Sequence, residues 1–374
     1  MKKTKLTVLF YIYRMGGGGA ARTLLNIINN LDRSKFQPIL VTLDYEGSYE
    51  KELESDVLHL KLNTRRLSRS AFKLAKTIRN YNVDIVFSTI PRVNTIAIMA
   101  NIFSGKKAKN VVREADNLGG AFVENFKLKL FGIVYKFSDQ IVSLSEGVKD
   151  NLVEKYNIKS GDIKVIYNPL DLNRIDVNAR EEVPFQFKPL FEKREPVLIN
   201  AGRLVKQKDQ ETLLKAFALV NKEIKSQLII LGDGPLKENL VRLGKDLGVH
   251  ERLTFAGFQL NPYSFMKNAD LFVLSSRHEG FSHVIAEALA TETPVVATDC
   301  KSGPSEVLDR GKFGCLSKVG DEKGLAKEMI KVLKLTDEQR RIVVEQGRYR
   351  AEDFEAKKIV KEYEEVFLSV TKKI

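Results

Sequence analysis

Only two cysteines, Cys300 and Cys315, and four histidines occur in the 374 residues. So few thiols give no disulfide framework and fit a reducing compartment. No histidine stands at metal-ligand spacing and no Asp-x-Asp occurs, so no metal site is expected. No apolar run approaches the roughly 20 residues needed to span a bilayer. The basic start Met1-Lys2-Lys3-Thr4-Lys5 runs into Leu6 to Ile12, in the manner of a signal peptide. That run is short, is broken by Thr7, lacks a small-residue cleavage site and is followed by Arg14 and four glycines. It therefore reads as a first buried strand, and the expected home of the chain is the cytosol. Internal repeats and low-complexity tracts are also missing.

What is present is an ordinary soluble composition, 43% hydrophobic and 29% charged. The length suits two domains better than one core. The net charge of +13 is uneven. Residues 1–185 carry 29 basic against 20 acidic side chains (+9), and residues 186–374 carry 32 against 28 (+4). Basic groups stand out at Arg65, Arg66 and Arg69, at Lys106, Lys107 and Lys109, and at Lys127, Lys129 and Lys136. Solvation alone accounts for many such surfaces; an anionic lipid, a nucleic acid or a phosphorylated acceptor are the alternatives.

Short apolar runs alternate with amphipathic segments, the pattern of strand–helix units and parallel sheets. Strands are expected at Leu6–Ile12, Pro38–Leu43, Val83–Phe87, Asn110–Arg113 and Gln140–Leu144, with helices such as Ala20–Leu31 and Phe72–Asn80 between them. After Pro169 the pattern stops. Residues 171–195 are polar, contain proline and read as a linker. A second series follows at Val197–Asn200, Gln227–Leu231, Leu253–Ala256, Leu271–Leu274 and Val295–Ala297. The expectation is a domain over 1–170, a second over 196–352, and a C-terminal helical segment over 353–374 packing back on the first. Ligands of such sheets sit at the carboxyl ends of the strands.

Three constellations fall at those ends. Gly16-Gly17-Gly18-Gly19-Ala20-Ala21 follows the first strand, where glycines admit a ligand to the backbone and a helix N-terminus favours an anion. With Asp44 at the end of the next strand it also fits a dinucleotide loop, so an NAD-dependent oxidoreductase is one alternative. Gly202-Arg203 with Lys208 follows the first strand of the second series and offers a guanidinium fork and an ammonium to a diphosphate. Ser276-Arg277-His278-Glu279-Gly280-Phe281 leads into a helix around His283–Ala290 that carries Glu287 in an otherwise apolar sequence. Glu279 and Glu287 are eight residues apart, about two helical turns, and carboxylates accept bonds from vicinal diols.

The Glu279-x7-Glu287 pair, the Gly202-Arg203…Lys208 loop, Gly232-Asp233-Gly234-Pro235 and the glycine-rich first loop together resemble retaining glycosyltransferases of family 4. The resemblance runs over most of the chain and is strongest from Pro196 to Pro304. It implies the GT-B fold, two facing Rossmann-like domains with a cleft between them. It implies catalytic roles for Arg203, Lys208 and Glu279, the two cations stabilising the leaving diphosphate and Glu279 contacting the donor sugar. It further implies that Glu287 binds the ribose diol and that Gly280 and the backbone of Phe281, Ser282 and His283 approach the diphosphate and sugar. Gly257 and Phe258 then lie near the base, and Gly16, Gly17 and Gly18 close the donor site from the first domain.

One departure from the family is visible. Many members place a His after the fifth N-domain strand; here the segment reads Val112-Arg113-Glu114-Ala115-Asp116-Asn117. Some relatives carry an Arg-Glu variant, which makes Arg113 and Glu114 candidates on the acceptor side and leaves a catalytically silent partner subunit as a second alternative. Ser302-Gly303-Pro304-Ser305-Glu306 resembles members using UDP-hexoses or UDP-N-acetylhexosamines. The implied partners are a UDP-linked sugar donor and a saccharide or lipid-linked acceptor, with no nucleic acid. No cofactor is expected, because the sugar nucleotide is a substrate. An anionic membrane surface is a further candidate partner. On a helix, Phe122, Phe126, Leu130 and Val134 form a stripe flanked by Lys127 and Lys129. The stripe serves either a membrane or packing on the sheet.

Overall fold

Runs that are apolar on both faces have to be covered on both sides, and the chain does this twice. The computed structural model describes residues 5–16, 18–105, 108–119, 122–192 and 194–372. Gly17, Lys106, Lys107, Ala121 and the side chain of Phe122 lie outside the described residues. The first sheet comprises β1 (Leu6–Ile12), β2 (Phe36–Thr42), β3 (Leu58–Lys61), β4 (Ile85–Thr89), β5 (Lys109–Glu114), β6 (Gln140–Ser143) and β7 (Ile163–Val165). All pair in parallel, in the order β3-β2-β1-β4-β5-β6-β7. Between them run α1 (Gly19–Asn30), α2 (Ser70–Asn80), α3 (Pro91–Phe103), α4 (Phe122–Tyr135) and α5 (Glu146–Tyr156). Side-chain alternation sends Val8, Phe10 and Ile12 to one face of β1, against α1, and Leu9 and Tyr11 to the other, against α2 and α3.

The second sheet comprises β8 (Val197–Ala201), β9 (Gln227–Leu231), β10 (Leu253–Gly257), β11 (Leu271–Leu274), β12 (Val295–Thr298) and β13 (Cys315–Ser317), in the order β10-β9-β8-β11-β12-β13. These strands are also parallel. Its helices are α6 (Leu172–Ala179), α7 (Lys188–Phe191), α8 (Gln210–Glu223), α9 (Lys237–Asp246), α10 (Tyr263–Lys267), α11 (His283–Ala290), α12 (Pro304–Val307), α13 (Glu322–Leu333) and α14 (Asp337–Ala351). The chain then returns to the first unit as α15 (Ala356–Lys372). Six buried side chains there, Ile359, Val360, Tyr363, Val366, Phe367 and Val370, join the core of the first sheet. At about 2 kcal/mol each, their burial contributes on the order of 10 kcal/mol as an upper bound.

Two Rossmann-like parallel α/β units are therefore present, as the alternation of strands and helices predicts. One runs to Pro169 and resumes at Ala356; the other is Leu170–Glu355. Three strands escape the sequence reading, β3, β7 and β13, and each lies at a sheet edge. Each has only three or four residues and is half-solvated, so it leaves no apolar run, whereas the longer edge strand β10 does. Residues 171–195, read as a linker, instead hold α6 and α7 within the second unit. Asp171 caps α6 by accepting from Arg174 N at 3.0 Å, and Leu172, Ile175 and Ala179 bury its inner face.

Candidate active site

A doubly wound sheet has one place where strand order reverses, and the loops leaving the two strands there frame its crevice. In the second sheet that place lies between β8 and β11. The loop leaving β8 carries Arg203 and Lys208, and the loop leaving β11 carries Glu279. The two loops are bonded along their length. Ser275 Oγ donates to Lys208 O at 2.9 Å, Arg277 N to Gln207 O at 2.8 Å, and Gln207 Nε2 to His278 O at 3.0 Å. Arg277 Nε pairs with Asp209 at 3.1 Å. Asp209 opens α8 in a left-handed conformation (φ 47°), and its Oδ2 also accepts from Thr212 Oγ1.

Within this frame Lys208 Nζ lies 2.5 Å from Glu279 Oε1, with the two side chains 16% and 8% exposed. Ser276 Oγ donates to the same carboxylate oxygen at 2.6 Å. The stem of Lys208 runs over Gly202, where an added Cβ would touch it at 3.4 Å. Arg203 holds its place through its carbonyl, which accepts from Gln210 Nε2 at 3.1 Å. Its guanidinium is exposed and makes no ion pair with any described residue. One ammonium and one carboxylate are thus brought into contact, with a second cation on the same loop.

Glu287 is held separately. It is buried on α11, and Tyr263 OH of α10 donates to its Oε1 at 3.1 Å. The entrance to α11 is formed by Phe281 and Ser282. The Phe281 ring is buried against Phe354 and His283, so this residue offers its backbone. Ser282 is left-handed (φ 69°) and its buried Oγ finds no hydrogen-bond partner among the described residues. Gly303 makes that turn possible: at φ 85°, a Cβ there would come within 2.9 Å of the Phe281 carbonyl. Gly280 is buried in the same loop. The loop leaving β9 depends on glycine too, since Gly232 (φ 134°) lies against the Gly202 carbonyl. Gly232 N donates to Gly257 O at 2.8 Å, so the end of β10 borders the same edge with Phe258 exposed beside it. Cys300 is buried near Glu279, and desolvation followed by that carboxylate's charge pushes its thiol up to about 12.

In the first unit the strand order reverses between β1 and β4. Gly16 and Gly18 follow β1. A Cβ at Gly18 would meet nothing within 4 Å, so packing does not require glycine there. Ile90 follows β4 at φ 80°, a strained value for a β-branched residue. Arg113 and Glu114, expected on the acceptor side, are instead buried with their side chains bonded inside the unit. Arg113 donates to Tyr363 OH at 3.2 Å, to Thr89 Oγ1 at 3.1 Å and to Asn168 Oδ1. Glu114 Oε1 accepts from Asn94 Nδ2 at 2.9 Å and from Tyr135 OH. Burial raises the Glu114 carboxyl to about 8 against these bonds and the nearby Arg113, which pull it down.

Family models and known proteins match the chain over most of its length. Residues 183–350 match the family described as "Glycosyl transferases group 1", and residues 17–174 match "Glycosyltransferase Family 4". The chain is 31% identical to the N-acetylgalactosamine-N,N'-diacetylbacillosaminyl-diphospho-undecaprenol 4-alpha-N-acetylgalactosaminyltransferase of Campylobacter jejuni, over 94% of this chain and 96% of that one. This chain belongs to the family 4 glycosyltransferases. It is also 30% identical to the N-acetyl-alpha-D-glucosaminyl L-malate synthase of Bacillus anthracis, over 80% of this chain and 78% of that one. Among solved structures, Anabaena HepE in complex with UDP-glucose superposes with a TM-score of 0.83 at 20% identity, covering 97% of this chain and 100% of that one. The glycosyltransferase therefore has the GT-B fold. The dinucleotide reading of its glycine-rich loop gives way to membership of this family.

Sequence reasoning named the charged residues that these loops and α11 carry, and gave no role to the groups that hold them: Tyr263, Gln207, Ser275, Ser276 and Asp209. Of these only Asp209, next to Lys208 and ahead of a helix, had a local signal, as a helix cap.

Proposed function

We propose that this glycosyltransferase transfers a hexose or N-acetylhexosamine from its UDP conjugate, with retention, to a lipid-linked or saccharide acceptor at the inner face of a cell membrane. One observation carries the reading: two loops leaving adjacent strands at the reversal point are bonded together so that Lys208 and Glu279 meet, with Arg203 on the same loop. The C. jejuni relative acts, by its name, on an undecaprenol-diphosphate saccharide, and HepE binds UDP-glucose; both support the choice of acceptor and donor.

In the transfer, the bond from the anomeric carbon to the β-phosphate oxygen breaks while the bond to the acceptor oxygen forms on the same face. The acceptor proton passes to the departing phosphate oxygen, and UDP leaves. Negative charge grows on the diphosphate, where Arg203 and Lys208 stabilise it in a partly desolvated setting. The entrance to α11, with the backbone of Phe281 and His283 and the Ser282 hydroxyl, adds donors to the same anion. Glu279 hands part of its bond with Lys208 to the sugar hydroxyls, Glu287 takes the ribose diol, and Gly257 and Phe258 border the base. No metal and no cofactor takes part.

A donor screen reading released UDP, GDP or ADP tests this, with the product's anomeric configuration read by NMR and turnover compared with and without EDTA. UDP release from a hexose or N-acetylhexosamine donor, an α-product from an α-donor and EDTA resistance are expected. An inverted product or loss of turnover in EDTA would remove the corresponding part.

A further inference from the structure

The helices α2, α3 and α4 lie side by side over one face of the first sheet, α3 packing on both neighbours. Their inner sides build the core: Leu74 and Ile78 of α2, Val93 and Ala97 of α3, and Leu128 and Tyr135 of α4. Their outer sides are unusually apolar. Along α4 and just beyond it, Val123, Phe126, Leu130, Ile133 and Phe137 recur at spacings of three and four and are each 47–66% exposed. Of the stripe expected from sequence, Phe126 and Leu130 belong to this outer face, whereas Val134 packs partly inward. On the neighbouring helices Phe72 and Phe103 stack with centroids 5.0 Å apart while 72% and 43% exposed, and Ile102 is 60% exposed. A folded protein gains nothing from rings held in water, and such surfaces mark contact sites.

Charge decides what the contact is. From Lys61 to Arg113 the chain holds twelve Lys and Arg and a single acid, Asp84. The exposed members on α2 and its approach are Arg65, Arg66, Arg69, Lys73, Lys76 and Arg79, and α4 adds Lys127 and Lys129, with Lys136 just past its end. Exposed apolar residues interleaved with cations fit an anionic bilayer surface, which takes the rings at the acyl boundary and the cations at the headgroups. A second copy of the chain would bring the same positive charge and repel.

We infer that the outer face of α2, α3 and α4 docks this glycosyltransferase on an anionic membrane. The inference rests on the proposed function only for its purpose, bringing the enzyme to a lipid-linked acceptor; docking itself needs no turnover. Flotation of the full chain, without donor, with vesicles of phosphatidylcholine alone or containing phosphatidylglycerol tests it. At low salt the protein should float with the anionic vesicles, stay behind with the neutral ones, and be released as salt screens the attraction. Phe126→Ser with Ile133→Ser should lower retention more than tenfold, and Lys127→Gln with Lys129→Gln about twentyfold, from about fivefold per cation. Both pairs should keep the wild-type melting temperature and donor hydrolysis. Equal recovery from both vesicle types, or anionic binding that neither pair weakens, overturns the inference. So does a dimer in solution that the Phe126 and Ile133 changes dissociate. Vesicle binding without UDP release from any donor would instead sink the proposed function and leave docking standing.

Discussion

Replacing Lys208 by methionine keeps most of the stem that covers Gly202 and removes only the ammonium. Two consequences follow from the geometry, and they are separable. The first is catalytic: one pre-placed cation at a developing charge is worth about 10²- to 10³-fold in turnover. The second concerns stability. Glu279 is 8% exposed on its side chain and loses the ammonium 2.5 Å away, keeping the Ser276 hydroxyl. Removing one partner of a fully buried pair costs about 3–5 kcal/mol; with slight exposure and one bond retained, about 2 kcal/mol is expected. For a unit the size of Leu170–Glu355 this lowers the melting temperature by about 4–8 °C. Adding Glu279→Gln removes the stranded charge and should restore melting to within about 2 °C of wild type, while turnover stays low. Calorimetry and UDP release on the single and double variants decide the matter. Wild-type melting for Lys208→Met would refute the ion-pair reasoning, and near-normal turnover in the double variant would refute the catalytic part.

Arg203→Ala should lose 10²- to 10³-fold in turnover at saturating donor with unchanged melting, because its guanidinium is exposed and unpaired; retained turnover removes it from the diphosphate site. Glu279→Gln should change which donor sugar is accepted. Glu287→Gln, and Tyr263→Phe more mildly, should weaken UDP and UDP-sugar alike by about tenfold and a few-fold, and calorimetric titration with UDP alone checks both. Glu114 is raised to about 8 in the fold against an ordinary 4.5, so its stabilising contribution is complete below about pH 4.5 and is lost as pH climbs through 8. The loss approaches about 5 kcal/mol at most. Glu114→Gln should flatten the fall in melting temperature between pH 5 and 9, and an equally steep profile would show that the carboxyl is ionised in the fold.

The central strands of both sheets were legible because parallel strands covered on both faces must be continuously apolar. β1 and β11 match their expected bounds, and α11 does as well. β3, β7 and β13 were not legible, since each is a half-solvated edge strand of only three or four residues; the five-residue edge strand β10 was. The site divides in the same way. Arg203, Lys208 and Glu279 stand out as charges in loops that leave strands, and Glu287 as a charge within an apolar helix. The bonds that fix them, Ser275 to Lys208, Gln207 to His278 and Tyr263 to Glu287, join residues 24 to 71 positions apart and leave no local pattern.

The Arg113-Glu114 step shows why a motif position needs its packing before it is given a role. Successive residues of a strand point to opposite faces. Arg113 therefore reaches the layer that holds α15 and bonds Tyr363, while Glu114 reaches the other layer and bonds Asn94 of α3 and Tyr135 of α4. Two adjacent side chains thus tie the sheet to both of its helical layers. On one side they secure the helix that returns from the second unit. On the other they secure α4, whose outer stripe carries the docking face. A charged pair at the end of an apolar strand looks from sequence like chemistry aimed at a substrate. Here each member is buried among partners of its own unit, and its bonds hold the layers between which the strand lies.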